Sequence, residues 1–559
     1  MFFRARKRGP HTYLQIVENN RVDGKVVQHV VSNLGRLDEL QQKGTLDGLL
    51  RSGLKFSTRL AVLDAHANGA TTRVATSKIG PVLLLEKLWR KSGIKAIVES
   101  LVASRRYEFC VERVLFVTVL HRLFNPGSDR HAQRWMRGYA ISGIEKLDLH
   151  HFYRSMAWLG QELPASQQQD ASAHWPLSIK DLIEEALFAQ HRDLFTELSL
   201  VFFDTTSLYF EGSGGQDIGR YGHSKDHRPD LRQMVVGVIL DNEGNPICSE
   251  LWPGNITDVT SLTPVMQRLK RRFGIQQVCI VADRGMISEA TIADIEREGW
   301  LYILGVRMRR VNEVHEDVLC RGGRYHEVYP ARVKSDDPAP LKVKEVKVDD
   351  RRYVVCHNEE EARKDRYDRE AIVTSLRDQL KQGDKSLVGN NGYRRFLKGT
   401  GAHFEVDEDK IAQEARFDGK WVLRTNTQMT TADVALKYKQ LWTVEDIFRT
   451  MKSVLQTRPI YHHWDETIRG HVFCSFLALV IRKQLHDAIE RKGWNLEWAH
   501  VVQDVDALAE VTVQHQGKQF VLRTDTVGVA GKVFQAAGVA LPPALRNAGS
   551  LATTPEPCP

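Results

Sequence analysis

Three acidic residues of this chain stand where chemistry is usually done. Asp204 closes the apolar run Leu-Val-Phe-Phe, and Asp283 closes the apolar run Val-Cys-Ile-Val-Ala. A carboxylate at the end of a buried strand is held rigidly and points out of the sheet edge, the common place for a site in an α/β fold. Strand-ending aspartates also form turns, so either one alone says little. The third acid, Glu445, lies in the stretch Tyr438–Lys452, whose spacing predicts one helix with two stripes. At about 100° per residue, Leu441, Val444, Phe448, Met451 and Leu455 share a core-facing side. Tyr438, Trp442, Glu445, Arg449 and Lys452 share a neighbouring side. Three acidic oxygen donors without His or Cys suit a hard divalent cation such as Mg²⁺ or Mn²⁺. Two such ions about 4 Å apart activate an attacking water or hydroxyl and stabilise the leaving oxygen of an in-line phosphoryl displacement. Clustered carboxylates repel one another, and Arg284, Arg449 and Lys452 are the cations at hand to offset this.

These residues need a scaffold, and the order of the elements around them predicts one. From Leu198 the chain reads strand, strand, strand, helix, strand, helix, strand, an α/β order in which hairpins are antiparallel and helical crossovers parallel. Before it, Tyr13–Asn33 alternates about Val22-Asp23-Gly24, a hairpin signal, and Ile79–Leu198 is helical in period. After it, Leu341–Asn358 alternates about Asp349-Asp350, a charged helix follows, and Lys420–Asn426 reads as one more strand. Gly212–Gly215 lacks the lysine and the strand–helix context of a phosphate-binding loop, and reads as a mobile connection. His150-His151 and His462-His463 are adjacent pairs, which do not face one ligand together on a helix. His471 reads as structural or close to a bound partner.

Composition bounds the partners. The chain has 559 residues, 42% hydrophobic and 26% charged, with net charge +8. That length predicts about three to five packed units. Basic residues cluster at Arg4–Arg8, at Arg268, Lys270, Arg271 and Arg272, and at Arg307–Arg310, which favours a polyanion, nucleic acid first. Seven dispersed cysteines, without a Cys-x-x-Cys pair, argue against a disulfide framework or zinc cluster and fit a reducing compartment. The start of the chain lacks a secretory signal, and its apolar stretches are too short to span a bilayer. A cytoplasmic location is the expectation, with no membrane partner.

The constellation resembles the DDE transposases of bacterial insertion sequences, in the insertion-sequence family four superfamily, most of all its sixteen-thirty-four branch. That pattern is an Asp after a first strand, an Asp after a fourth, and a helix reading Tyr-x2-Arg-x3-Glu-x6-Lys. Here it is met by FFDTTSLYF, VADRGMIS and Tyr438-x2-Leu441-x3-Glu445-x6-Lys452. The phrases GHSKDHRPDLRQMVVGV, SNLGRLDEL, RRYVVCHN and FDGKWVLRTN are similar to that branch too, and the likeness runs from the first hairpin to about Leu485. It implies Asp204, Asp283 and Glu445 as catalytic, metal-holding residues on a ribonuclease-H-like core with two Mg²⁺ or Mn²⁺ ions. It implies Tyr438 and Lys452 as contacts to the DNA backbone, near the nucleoid of a bacterial cell. The departure is Leu441, which stands where the pattern has Arg. Arg449 is the candidate substitute, or an ordinary surface arginine. Trp442 could stack on an extruded base or serve as a buried anchor, and Arg284 is a further candidate DNA contact.

The organisation expected is an N-terminal hairpin and basic arm (1–75), a helical DNA-binding region (76–195), a first core segment (196–306), a β-rich insertion (307–428), a second core segment (429–484) and a C-terminal region suited to dimerisation (485–559). The activity implied is cut-and-paste transposition: binding of terminal inverted repeats as a homodimer on double-stranded DNA, cleavage, and joining to target DNA. Two rival readings keep part of this. One is a structure-specific nuclease on the same core, and the other a non-catalytic DNA-binding derivative. Strand joining separates the first from the second, and intact acidic positions speak against the third.

Overall fold

The first 36 residues fold into a three-stranded antiparallel sheet of β1 (Phe2–Arg8), β2 (His11–Val22) and β3 (Lys25–Arg36). The β2–β3 pairing ends at Val22↔Lys25, and the Asp23-Gly24 turn itself lies outside the described residues. The computed structural model describes residues 2–22, 25–54, 73–168, 176–191, 200–256, 258–274, 278–286, 288–332, 337–382, 395–399, 404–515 and 518–547. The Pro-rich tail at 553–559, expected to fray, is outside that set. The chain divides into two units, one of Met1–Leu83, Gly138–Ala140 and Leu496–Glu556, the other chiefly of Leu84–Arg137 and Ile141–Asn495. The first unit also holds a four-stranded sheet in which β4 (Arg73–Lys78) pairs with Ala509–His515.

The second unit is a mixed α/β body built on one nine-stranded sheet. Its first strand is β5 (Leu200–Tyr209), whose aromatic and aliphatic side chains are buried almost throughout, as a strand covered on both faces requires. β6 (Gln233–Leu240) and β7 (Pro246–Pro253) follow it as an antiparallel meander. The helix Asp258–Phe273 then crosses over to β8 (Cys279–Ala282), and the helix Glu289–Arg297 crosses to β9 (Leu301–Gly305). Both crossovers return parallel strands, β8 beside β5 and β9 beside β8. The antiparallel hairpins and parallel crossovers expected from the element order are therefore present.

Residues 307–428 continue this sheet. β10 (His326–Tyr329), β11 (Leu341–Val348) and β12 (Arg351–His357) run antiparallel in turn; β13 (Leu397–Lys398) and β14 (Glu405–Val406) form a separate pair, and β15 (Lys420–Thr425) joins β12 to β9. The final order is β10-β11-β12-β15-β9-β8-β5-β6-β7. β9 would otherwise present an unpaired edge, an open template for association, and β15 covers it.

One sheet face carries Leu200, Phe202, Cys279, Val281 and Ile303 against Val434, Leu441, Val444, Phe448 and Met451. The opposite face carries Val201, Phe203, Ile280 and Ala282 against Leu262, Val265, Met266 and Leu269 of the crossover helix. Two of the basic residues that read as cations for a polyanion are used up here. Arg268 and Arg272 stand one helical turn apart on the inward side and are 5% and 2% exposed. They pair with Asp181, Glu184 and Glu250, in a cluster that also buries Lys180.

The single helix expected over Tyr438–Lys452 is two helices and a wider turn. Thr431–Lys439 ends at Gln440, Trp442–Arg449 follows, and Thr450–Val454 is a π turn. At the joint the backbone tightens: Leu441 N donates to Tyr438 O at 3.0 Å and Val444 N to Leu441 O at 3.0 Å, each three residues back. Burial of Leu441 at the joint favours that tightening, because it turns the side chain into the same core as Val444. The apolar stripe itself is as expected, with Leu441, Val444, Phe448, Met451 and Leu455 all buried.

Among the described cysteines, Cys248, Cys279, Cys320, Cys356 and Cys474 are free thiols, while Cys110 is disulfide-bonded, against the expectation of a wholly reduced set. Among the described residues no helix is long and apolar enough to cross a membrane.

Candidate active site

The register of two parallel strands brings the aspartates together. Leu200 to Phe203 of β5 pair in step with Cys279 to Ala282 of β8. The next residues are Asp204, which lies midway along β5 rather than at its end as expected, because Thr205–Tyr209 go on pairing with β6, and Asp283, directly after β8. Neighbouring strands lie about 4.8 Å apart, so the two carboxylates leave the sheet side by side. By alternation both share the face of Phe202 and Val281, the face covered by the helices around position 441. Both are half-buried.

Each aspartate is held. Thr205 N donates to Asp204 Oδ1 at 2.7 Å. Tyr438 Oη donates to Asp283 Oδ1 at 2.9 Å. Burial raises the Tyr438 phenol well above its ordinary range, and the Asp283 and Asp204 charges add to this, so it remains a proton donor. Gly305, at the end of β9, makes the room: a Cβ there would lie 2.4 Å from the Tyr438 hydroxyl. Gly305 could not have been singled out by composition, since its need arises from a side chain 133 positions away.

Glu445 stands in the first turn of the Trp442–Arg449 helix, exposed, beside the buried Val444. That helix packs on β5 and β6. Among the described residues, Asp129, His462 and His471 form the one group of three His, Cys, Asp or Glu side chains whose ligand atoms all lie within 4.8 Å of one another. Asp204, Asp283 and Glu445 thus share a face without closing to that distance.

The other candidates divide into held and open. Lys452 Nζ donates to Asp226 Oδ1 at 2.8 Å, and Arg458 Nε lies 3.2 Å from the other oxygen. Burial lowers the Lys452 ammonium below its ordinary value. Lys225, next to Asp226, donates to Thr205 O at 2.8 Å and to Thr205 Oγ1 at 3.0 Å. The loop phrase around His223–Arg228 is therefore tied to the residue after Asp204. Lys225, Asp226 and Arg458 were not picked out in the sequence; the adjacent opposite charges inside a polar loop were the available signal. Trp442 is 64% exposed, so it is no buried anchor. Arg449 is open to solvent, with Asp446 3.4 Å away, and Arg284 is exposed on the turn after Asp283.

The Gly212–Gly215 connection, expected to be mobile, is held. Gln216 N and Asp217 N donate to the two oxygens of Asp465 at 3.0 and 3.1 Å, and a Cβ on Gly215 (φ +82°) would meet that carboxylate at 2.0 Å.

His462 turns to His471 rather than to its sequence neighbour. His462 Nε2 is 3.1 Å from His471 Nδ1 and 3.4 Å from Asp129 Oδ2, and His471 Nε2 is 3.0 Å from Thr457 O. A metal has poor footing here, because Arg122 donates to the same His471 Nδ1 at 3.0 Å and would place a buried cation beside it. Burial keeps the imidazoles of this hydrogen-bonded group neutral, and it predicts acid sensitivity. Burial pushes His462 down to about 4 and nearby His121 down to about 3. An unfolded His titrates near ~6.5, so from about pH 6.5 down to about 4 the unfolded chain binds protons that the folded chain refuses. Stability rises with pH through that window and is lost as pH falls. Asp129, pushed up to about 6 by burial, acts oppositely between about 4 and 6 and offsets one histidine. His471, which burial pushes further below its ordinary value, adds to the loss, so the net from pH 7 to 4 is a fall in stability. Urea midpoints every half pH unit check it, and a flat profile would contradict the buried neutral imidazoles.

Residues 3–67 match the family described as "IS1634 family transposase, N-terminal domain", and residues 196–481 match "Transposase DDE domain". No curated protein matches the chain. Among solved structures, the chain is similar to "Mos1 transposase paired-end complex with left transposon end", with 13% identity over 35% of this chain and 60% of that one, at a TM-score of 0.14. With Asp204 and Asp283 inside a matched region that spans half of the chain, and the N-terminal match beside it, the chain belongs to the DDE transposases, in the IS1634 family.

Proposed function

We propose that this transposase binds the terminal inverted repeats of an insertion sequence, cleaves the DNA there and joins the freed 3′-hydroxyl to target DNA. The juxtaposition of Asp204, midway along β5, and Asp283, directly after the paired parallel strand β8, carries the reading. The order β7-β6-β5-β8-β9, with three antiparallel strands followed by two parallel to β5, supports a ribonuclease-H-like core.

The donor set is all oxygen, which fits Mg²⁺ or Mn²⁺, and Asp204, Asp283 and Glu445 would hold two such ions. When bound, they supply an activated hydroxyl and charge stabilisation for in-line phosphoryl displacement. The chain's own residues prepare the place. Tyr438 fixes the Asp283 carboxylate, and the Thr205 amide fixes that of Asp204. Lys452 and Lys225 anchor the 222–230 loop beside them and carry positive charge for a phosphate backbone. Arg284 and Arg449 face solvent as further phosphate contacts, and Arg449 takes the part that buried Leu441 cannot. The exposed Trp442 indole offers a stacking face for an unpaired base. The transposase acts as a homodimer on paired ends, in the bacterial cytoplasm and on the nucleoid.

Incubation of the full chain with Mg²⁺, a labelled duplex carrying one element end and a plasmid target tests this. The expected result is cleavage at the end boundary followed by labelled plasmid. Cutting without joining would assign the chain to nuclease activity instead.

A further inference from the structure

The N-terminal sheet has a face that the catalytic reading does not use. β1 and β2 pair Arg4↔Gln15, Arg6↔Tyr13 and Arg8↔His11. Alternation therefore puts Arg4, Arg6 and Arg8 on one face, with Asn33 of β3 opposite Gln15. Arg4 is fastened across all three strands, donating to Gln15 Oε1 and to Gln28 Oε1, each at 2.9 Å. Arg6 and Arg8 are exposed and, among the described residues, make no hydrogen bond or ion pair. Arg36 differs, since Asp38 and Glu39 neutralise it. The first 36 residues hold seven Lys and Arg against two Asp and Glu, five of the chain's net +8.

We propose that this face enters the major groove of duplex DNA at the element's end and reads base edges with Arg6 and Arg8, rather than only neutralising phosphates. The inference rests on the transposase reading above and names the residues that give it sequence preference. A β-ribbon fits the major groove, which is about 12 Å wide. Arginines two apart on a strand are spaced by about 6.7 Å, close to two base-pair steps of about 3.4 Å. A guanidinium grips O6 and N7 of guanine with two donors, the commonest specific contact in that groove. Arg4, Gln15 and Gln28 act as positioning residues: their hydrogen bonds brace the strand from which Arg6 and Arg8 extend.

The test is binding of the full chain in EDTA, which leaves the DNA intact, to a duplex carrying the element's terminal inverted repeat and to a scrambled duplex of equal composition. Wild type, Arg6→Ala, Arg8→Ala and Arg6→Lys are compared at several salt concentrations. The expected result is a roughly 5- to 150-fold loss of affinity for the end in each Ala variant, little change for the scrambled duplex, and a loss of preference in Arg6→Lys despite its retained charge. Equal losses on both duplexes, with full recovery in Arg6→Lys, would reduce the face to a phosphate contact and overturn the proposal. Unchanged binding by folded variants, checked by circular dichroism, would overturn it as well. A wild-type chain that cannot tell the end from the scrambled duplex would instead count against the end-binding reading.

Discussion

Asp204→Asn and Asp283→Asn are each expected to slow DNA cleavage by at least about 10³-fold while DNA affinity stays within about twofold. The size follows from charge: holding a metal at a phosphoryl transition state is worth several kcal/mol, and each 1.36 kcal/mol is about tenfold in rate. The substitution is chosen to leave the scaffold alone. In Asp204→Asn the side-chain oxygen still accepts the Thr205 amide, and in Asp283→Asn it still accepts the Tyr438 hydroxyl. What disappears is one negative charge midway along β5 or directly after β8. Glu445→Gln, on an exposed turn of its helix, is expected to act the same way with no folding cost. Cleavage of a labelled element end in Mg²⁺, beside binding in EDTA, checks all three. A variant that cuts at the wild-type rate would remove its residue from the reaction, whatever the others do.

The aspartates were legible in the sequence because both strands announce themselves. Leu-Val-Phe-Phe and Val-Cys-Ile-Val-Ala are short apolar runs that stop at an acid, and buried parallel strands read in just that way. The β5–β9 element order was legible for the same reason, and so was the apolar stripe from Leu441 to Leu455. Long-range pairing was not. Arg268 and Arg272 counted as cations for a polyanion until the fold set Asp181 and Glu184, some 87 positions away, against them. The break at Gln440 was hidden because its residues all favour a helix; only the burial of Leu441 beneath the sheet tightens the turn there. Tyr438 read as a surface residue on a continuous wheel, whereas two helices with a joint between them turn its hydroxyl inward to Asp283. Periodicity describes one element at a time, and each of these outcomes depends on two.

Arg272→Met should be the costliest single change to the fold. The Arg272 guanidinium lies 2.9 Å from Glu184, 2.7 Å from Glu185, 3.1 Å from Asp181 and 3.5 Å from Glu250. Burial opposes its charge and these carboxylates more than restore it, so its pKa is raised well above the ordinary value. Methionine fills similar volume but leaves the acids with Lys180 and Arg268 alone. Breaking a buried pair on one side typically costs about 3–5 kcal/mol, a large share of the ~5–15 kcal/mol that holds a protein folded. Arg272→Lys keeps the charge without the planar fork and should fall between the two. The expected signature is a lower urea midpoint with an unchanged slope. The cluster sits on the side of the sheet away from Asp204, at the end of the helix that carries the chain from β7 to β8. The cleavage rate per folded molecule should therefore hold at low temperature while the folded fraction drops. A lowered rate in the folded fraction would mean that this crossover helix also sets the position of Asp283.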